Sequence, residues 1–441
     1  MLQRITLFII TSLFCTSLFT QPTGIYVLDN DQGKYRDQNI RNYSFVDGFV
    51  WRTSWSNFET SLGVYDYKSL DHIIQHLDSI NKKLTILFGT SSIEPSYISL
   101  QSGVTTYSYV DPVSKVISTR PVPYDGYLLQ RFRLFMNSFA NHQIFSQSTG
   151  TMVALKDHPV LTNITTNIPG WGAIVNLNGQ NNGLQTILPN YSRKKLVDSL
   201  LVSMKIQTDN FPNKNVFIPF YKNTNDNNTS PPLVTAIRDQ LLSNFNDIQN
   251  PKISFWQENL AGSTDTTTKI FTGSPTITDA SPLYQLNDSA YTMFQMLQGW
   301  TTPFIDSTKT ANSTPFDAMC YAFNAFQSSY YEVHVSDIDN PSYQQAFSNW
   351  NILSCDTSLS INESTIENKL KIYPNPATNV ISISGINTGQ KATVSIFNSD
   401  GIKLLSTENY QNIDVTNFSN GIYFIRVNQN GERISFSFIK Q

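Results

Sequence analysis

Short apolar runs recur along most of this chain, separated by longer stretches of helical periodicity, and no other feature limits its folding as much. The runs are "GIYVLD" (24–29), "VDGFVW" (46–51), "LTILFG" (84–89), "VLTNITT" (160–166), "NVFIPFY" (215–221), "ISFWQ" (253–257), "TPFID" (302–306) and "YYEVHV" (330–335). Strands alternating with helices are the signature of parallel βαβ units. A series of eight points to a closed (β/α)8 TIM barrel rather than an open sheet.

The intervening helices have their own signals. Leu70, Ile73, Ile74, Leu77 and Ile80 recur at helical spacing behind Asp66, a candidate N-cap. Ser281-Pro282, Thr314-Pro315 and Asn340-Pro341 each pair a capping residue with a proline, whose missing N–H is not needed at a first helical position. Between the first two runs, "NDQGKYRDQNIRNYS" is short and polar, so an irregular opening unit is expected.

The ends of the chain are of different character. Residues 1–20 place Arg4 before an apolar stretch from Ile5 to Phe14 and then small or polar residues, the pattern of a cleaved secretory signal peptide. Cys15 lacks a lipobox around it, because bulky Phe14 precedes it and Ser12 replaces the usual Leu. No later stretch reaches the roughly 18 apolar residues of a membrane span, so no transmembrane segment is expected in the mature chain. The barrel is expected over 21–354 and a polar linker over 355–369. From 370 to 441, short alternating runs broken by N-P, S-D-G, S-N-G and Q-N-G turns predict a small all-β, immunoglobulin-like sandwich of about seven strands.

Composition excludes several functions. A net charge of −3 and the scarcity of Lys/Arg runs give no basic patch for phosphates, so no nucleic-acid partner is expected. There is no Gly-rich phosphate loop and no G-x-S-x-G elbow, so neither a nucleotide cofactor nor a serine-hydrolase site is indicated. His72 and His76 share a helix face opposite the Ile73/Leu77 stripe, where solvation is the ordinary state, and "DNDQG" (29–33) lacks the later Glu of a calcium loop, so no metal is expected. Two cysteines follow the signal. Cys320 and Cys355 could pair in an exported protein, although "FDAMCYAFNAF" is also a setting for a buried free thiol.

Two resemblances add to this reading. "YPNP" (373–376), "VSIFNSDGIKLL" (394–405), "IDVTNFSNGIYFIRV" (413–427) and the near-terminal Lys440 resemble the type A C-terminal sorting domain of the Bacteroidetes type IX secretion system. That likeness implies the type IX machinery as a partner and delivery to the cell surface or medium. In the barrel, Arg52, Trp55, Glu59, Gly63, Tyr65, Tyr67, Leu70 and Asp71 match in order a region of (β/α)8 glycoside hydrolases of the beta-galactosidase type, with Thr60 where Pro is usual. "LTILFGTSSIEPSYI" extends the likeness through Pro95 and Tyr97, and "YYEVHVSDIDNPSYQQAFSNW" (330–350) is similar to the closing strand and helix of related secreted barrels.

That family cleaves glycosidic bonds with two carboxylates, an acid/base after the fourth strand and a nucleophile after the seventh. Here the fourth run leads to Asn163, Asn167 and Trp171 and to no acid, while the seventh ends at Asp306. An amide cannot donate a proton as a carboxylic acid does. Glu258 after the sixth run and Glu332 within the eighth are alternative catalytic candidates, with Glu94 behind them; the bland alternative makes Glu332 a buried brace and Glu258 a hydroxyl acceptor. Trp51, Trp55, Trp171 and Trp256 could stack on sugar faces, and Arg52, Tyr221 and Gln257 could bind sugar hydroxyls. The expectation is an exported glycoside hydrolase-like protein acting on polysaccharide or oligosaccharide, or a carbohydrate-binding protein on a barrel that has lost catalysis.

Overall fold

The computed structural model describes residues 21–28, 40–88, 94–110, 116–165, 184–220, 226, 231–246, 251–264, 271–274, 283–286, 289–296, 299–300, 314–350, 355, 370–386, 391–398, 403–429 and 432–441. The signal-peptide region and "DNDQG" lie outside these residues.

Eight parallel strands close on themselves: β1 (Thr23–Leu28), β2 (Gly48–Thr53), β3 (Lys83–Phe88), β4 (Leu161–Thr165), β5 (Asn215–Pro219), β6 (Ile253–Thr264), β7 (Tyr291–Met296) and β8 (Ser329–His334). Each pairs with the next, and β8 pairs with β1 from Thr23↔Ser329 to Leu28↔His334. The barrel is closed. Its strands read as near-continuous apolar runs because both faces are buried. Tyr26, Leu28, Val50, Leu87, Phe217, Trp256, Met293 and Tyr330 fill the interior. The opposite faces join a larger core beneath the helices.

Helices α1 (Lys68–Ser79), α2 (Gly126–Asn141), α3 (Arg193–Asn210), α4 (Leu233–Phe245), α5 (Pro315–Phe326) and α6 (Pro341–Ser348) supply that outer layer. In α1, Leu70, Ile73, Ile74 and Leu77 are the buried stripe, and Asp66 accepts from Lys68 N at 3.0 Å. Thr314 and Asp317 form a reciprocal capping box at the start of α5, and Asn340 caps α6. Ser281-Pro282 lies outside the described residues. Among the described residues, no helix is long and apolar enough to cross a membrane.

Two expectations are corrected. The seventh strand is "YTMFQM", Tyr291–Met296, and not "TPFID" at 302–306, so Asp306 does not end it. Cys320 and Cys355 form a disulfide rather than leaving a buried thiol, which ties the first residue of the expected linker back to α5.

The tail is two antiparallel sheets around a separate core of Ile381, Ile383, Val394, Ile396, Ile425, Val427 and Phe438. One sheet joins β9 (Lys371–Tyr373), β10 (Val380–Ser384) and β13 (Ile413–Asp414). The other has the order β12 (Lys403–Thr407), β11 (Ala392–Phe397), β14 (Gly421–Gln429), β15 (Glu432–Lys440). These are the seven strands expected from the turn spacing.

Candidate functional site

The carboxyl ends of parallel barrel strands open onto the face where barrel sites are built. At that end, alternation along β8 sends Tyr330 and Glu332 inward while Tyr331 and Val333 join the outer core. Glu332 is fully buried, and its Oε1 accepts from Trp256 Nε1 at 3.1 Å and lies 3.1 Å from the Tyr330 hydroxyl. Among the described residues its Oε2 has no hydrogen-bond partner. Burial pushes the carboxyl up to about 8; the Arg52 charge and the hydrogen bonds from Tyr330 and Trp256 oppose that shift, and the Glu258 charge adds to it. At neutral pH, Glu332 therefore keeps its proton.

Arg52, on β2, donates through Nη2 to Gln295 Oε1 on β7 at 2.6 Å, and Gln295 stands beside Glu332 in the β7–β8 register. With the strand order corrected, Gln295 is the penultimate residue of the seventh strand, near where the glycosidase resemblance implies a carboxylate. His334 closes β8, donating or accepting through Nε2 at 3.2 Å from Met296 O, and burial holds its imidazole below the usual range. Glu258, on β6, is partly exposed and close enough for its charge to act on Glu332. Glu332, Glu258, Arg52, Gln295 and His334 are thus one polar group drawn from four strands.

Below it runs a neutral polar chain. Tyr330 OH lies 2.8 Å from Thr85 Oγ1, Asn163 Nδ2 donates to Thr85 at 2.9 Å, Asn215 Nδ2 donates to Asn163 Oδ1 at 3.1 Å, and Ser254 Oγ donates to Asn215 Oδ1 at 2.5 Å. Asn163 is committed to this chain and is 2 % exposed, so it is packed within the barrel rather than presented to a ligand. Gln257 Nε2 donates to Phe220 O at 2.7 Å and sits 2 % exposed beside β5.

Several expected contact residues are placed elsewhere. Trp51 lies on the outer face of β2, edge-on to Phe58 at 5.6 Å, and Trp55 is fully buried and stacked on Phe135 at 5.2 Å. Neither leaves a face for a sugar ring. Trp256 is 1 % exposed and serves as a donor to Glu332, so its indole is also spoken for. Glu94 is buried and paired at 3.2 Å with Arg120, which lies on the hairpin Thr106–Val110/Ile117–Pro121 that follows β3. Asn167, Trp171, Tyr221 and Asp306 lie outside the described residues.

The stretch after β2 is a brace. Trp55 Nε1 donates to Glu59 Oε2 at 2.7 Å, while Glu59 Oε1 accepts from Gly63 N at 2.8 Å, Tyr97 OH at 2.8 Å and the Arg131 guanidinium. Gly63 can close this turn because its φ of +72° carries no side-chain penalty. Sequence reasoning missed Gln295, His334, Tyr330 and Arg131. Gln295 was detectable as part of the apolar run at 291–296; Arg131 had no local signal, because its partner is 72 residues away.

Residues 371–441 match the family described as the secretion system C-terminal sorting domain. The tail is a sorting domain. Such a tail indicates export through the type IX system to the cell surface or beyond it. No curated protein sequence matches the chain. Among solved structures, similarity extends to a beta-galactosidase from Bacillus circulans sp. alkalophilus, at 14% identity and TM-score 0.42, covering 71% of this chain and 50% of that one. A Cellulomonas fimi endo-beta-1,4-mannanase double mutant aligns at 10% identity and TM-score 0.36 over 96% of this chain and 94% of that one. An intracellular xylanase from Thermoanaerobacterium saccharolyticum JW/SL-YS485 aligns at 14% and 0.39 over 72% and 86%. The chain spans about half the length of the first of these. Scores at this level carry no argument about activity, and the barrel is read from its own strand pairing.

Proposed function

We propose that the chain is an exported carbohydrate-active protein whose barrel mouth hydrolyses glycosidic bonds in a polysaccharide or oligosaccharide. The observation that carries this reading is geometric: Glu332, whose Oε2 has no hydrogen-bond partner among the described residues, stands beside the Arg52–Gln295 pair, and the partly exposed Glu258 is close enough for its charge to act on it. Two carboxyls whose surroundings hold one protonated are the usual equipment for acid–base cleavage. In this mechanism Glu332 gives its proton to the leaving oxygen as the glycosidic C–O bond breaks, which requires the mouth to open onto its Oε2, since the side chain is fully buried without substrate. Glu258 either takes a proton from the attacking water or attacks the sugar carbon itself. Arg52 and Gln295 offer donors to sugar hydroxyls. Export to the surface or medium would bring such a site to extracellular glycan.

A second reading, glycan binding without turnover, is favoured by Gln295, an amide near the end of the seventh strand, where the resemblance implies a carboxylate. Reducing-sugar release by the purified full chain over a glycan panel, with Glu258→Gln and Glu332→Gln as controls, separates the two. Release that both substitutions lower by roughly 100-fold or more supports hydrolysis. Saturable glycan binding with no release supports the binding protein, and neither binding nor release removes carbohydrate from the assignment.

A further inference from the structure

Strands β11 and β14 of the tail are buried on both faces, which a free sandwich of this size does not require. Their inner residues, Val394, Ile396, Ile425 and Val427, belong to the sandwich core. Yet their outer residues are equally covered: Ser395 is 1 % exposed, Phe397 2 %, Phe424 6 % and Arg426 4 %. The register pairs Ser395 with Arg426 and Phe397 with Phe424, so the four form one compact patch on the outer face. On that same face Ile422 is 52 % exposed. The covering is therefore local.

What covers the patch is the barrel. The Arg426 guanidinium lies 4.4 Å from the centroid of Phe323 on α5 and 5.3 Å from Phe397, held between one ring of the barrel and one of the tail. Lys403 of β12 adds a second contact, its Nζ 5.7 Å from the ring of Tyr291 at the start of β7. Phe323 packs with Cys320 and Cys355, so the disulfide lies directly beneath the docking point. A guanidinium suits this position because its planar, weakly hydrated face can lie flat against the two aromatic rings, which a compact, strongly hydrated ammonium cannot do.

We propose that the sorting tail docks on its own barrel through this patch, with Arg426 as the specificity-determining residue, and that the docked tail covers the end of α5. Phe323 lies near the end of α5 that leads into the start of β8, so the dock is remote from the strand ends that carry the candidate site. Loss of the tail would uncover Phe323 and leave the mouth unaltered.

Amide hydrogen exchange in the intact chain tests this. Arg426→Glu and Phe397→Ala should each speed exchange in residues 318–326 by roughly tenfold, the scale of a lost desolvated cation–π contact. Arg426→Lys should reproduce part of the effect, and Ile422→Ala, on the exposed part of the face, should leave α5 unchanged. Protection of the inner core amides of β11 and β14 checks that each variant's sandwich is folded. Exchange in α5 that neither Arg426→Glu nor Phe397→Ala moves overturns the dock, and an equal effect from Ile422→Ala overturns its assignment to this patch.

Discussion

At the scale of single residues, Glu332 couples the candidate chemistry to stability. Its folded-state pKa of about 8 lies above its ordinary 4.5. The folded chain thus holds a proton that the unfolded chain releases between those values, so the group's contribution is complete below about pH 4.5 and is lost as pH rises through 8. We expect stability to fall as pH rises across that window, and Glu332→Gln to remove this contribution to the pH dependence. Urea unfolding of both proteins at pH 5 and pH 8 provides the comparison. Glu59 is instead a structural side chain, buried and held by Arg131, Tyr97, Trp55 and Gly63. Replacing it with Ala strands Arg131 and should cost about 3–5 kcal/mol, measured by the same unfolding. The roles of these two residues were unequally legible: Trp55 and Glu59 are one helical turn apart in sequence, whereas the partners of Glu332 come from strands far away along the chain.

At the scale of elements, capping is written locally and strand identity is not. The Thr314–Asp317 box was legible from Thr-Pro punctuation, and Thr314→Ala should destabilise the chain by about 1 kcal/mol, seen as a lowered Tm. The seventh strand shows the limit. "YTMFQM" is buried at every position, so it has no alternation to announce a strand, and "TPFID" competes with it as a short apolar run between turn signals. Choosing the wrong run moved the expected seventh-strand residue from Gln295 to Asp306. Trp51 was misplaced for a related reason, because one residue of register decides whether a side chain faces the barrel interior or the helices, while Trp55 lies in the short helical turn Trp55–Phe58 that follows β2.

For the molecule as a whole, closure is the decisive event. The β8–β1 pairing and the hydrogen bond from Gln21 Nε2 to Gln327 O at 2.8 Å join segments 306 residues apart. The Cys320–Cys355 disulfide spans 35 residues that include β8, the closing strand, so it restrains the unfolded chain where closure occurs. Replacing both cysteines with Ser should cost about 4 kcal/mol by loop entropy. Calorimetry of the oxidised protein and the double variant checks this, and equal Tm values would remove the disulfide from the stability of the barrel.

The sequence by itself determined the sequence-local properties: eight strand-forming runs in all but one correct place, the Thr314 and Asn340 caps, the two-part organisation, and the sorting tail, whose motifs lie close together. Only the tertiary structure decided which carboxyl keeps its proton, which tryptophans are buried, and that the two cysteines meet. Those outcomes depend on desolvation and on contacts between distant strands. Neither exists until the barrel has closed.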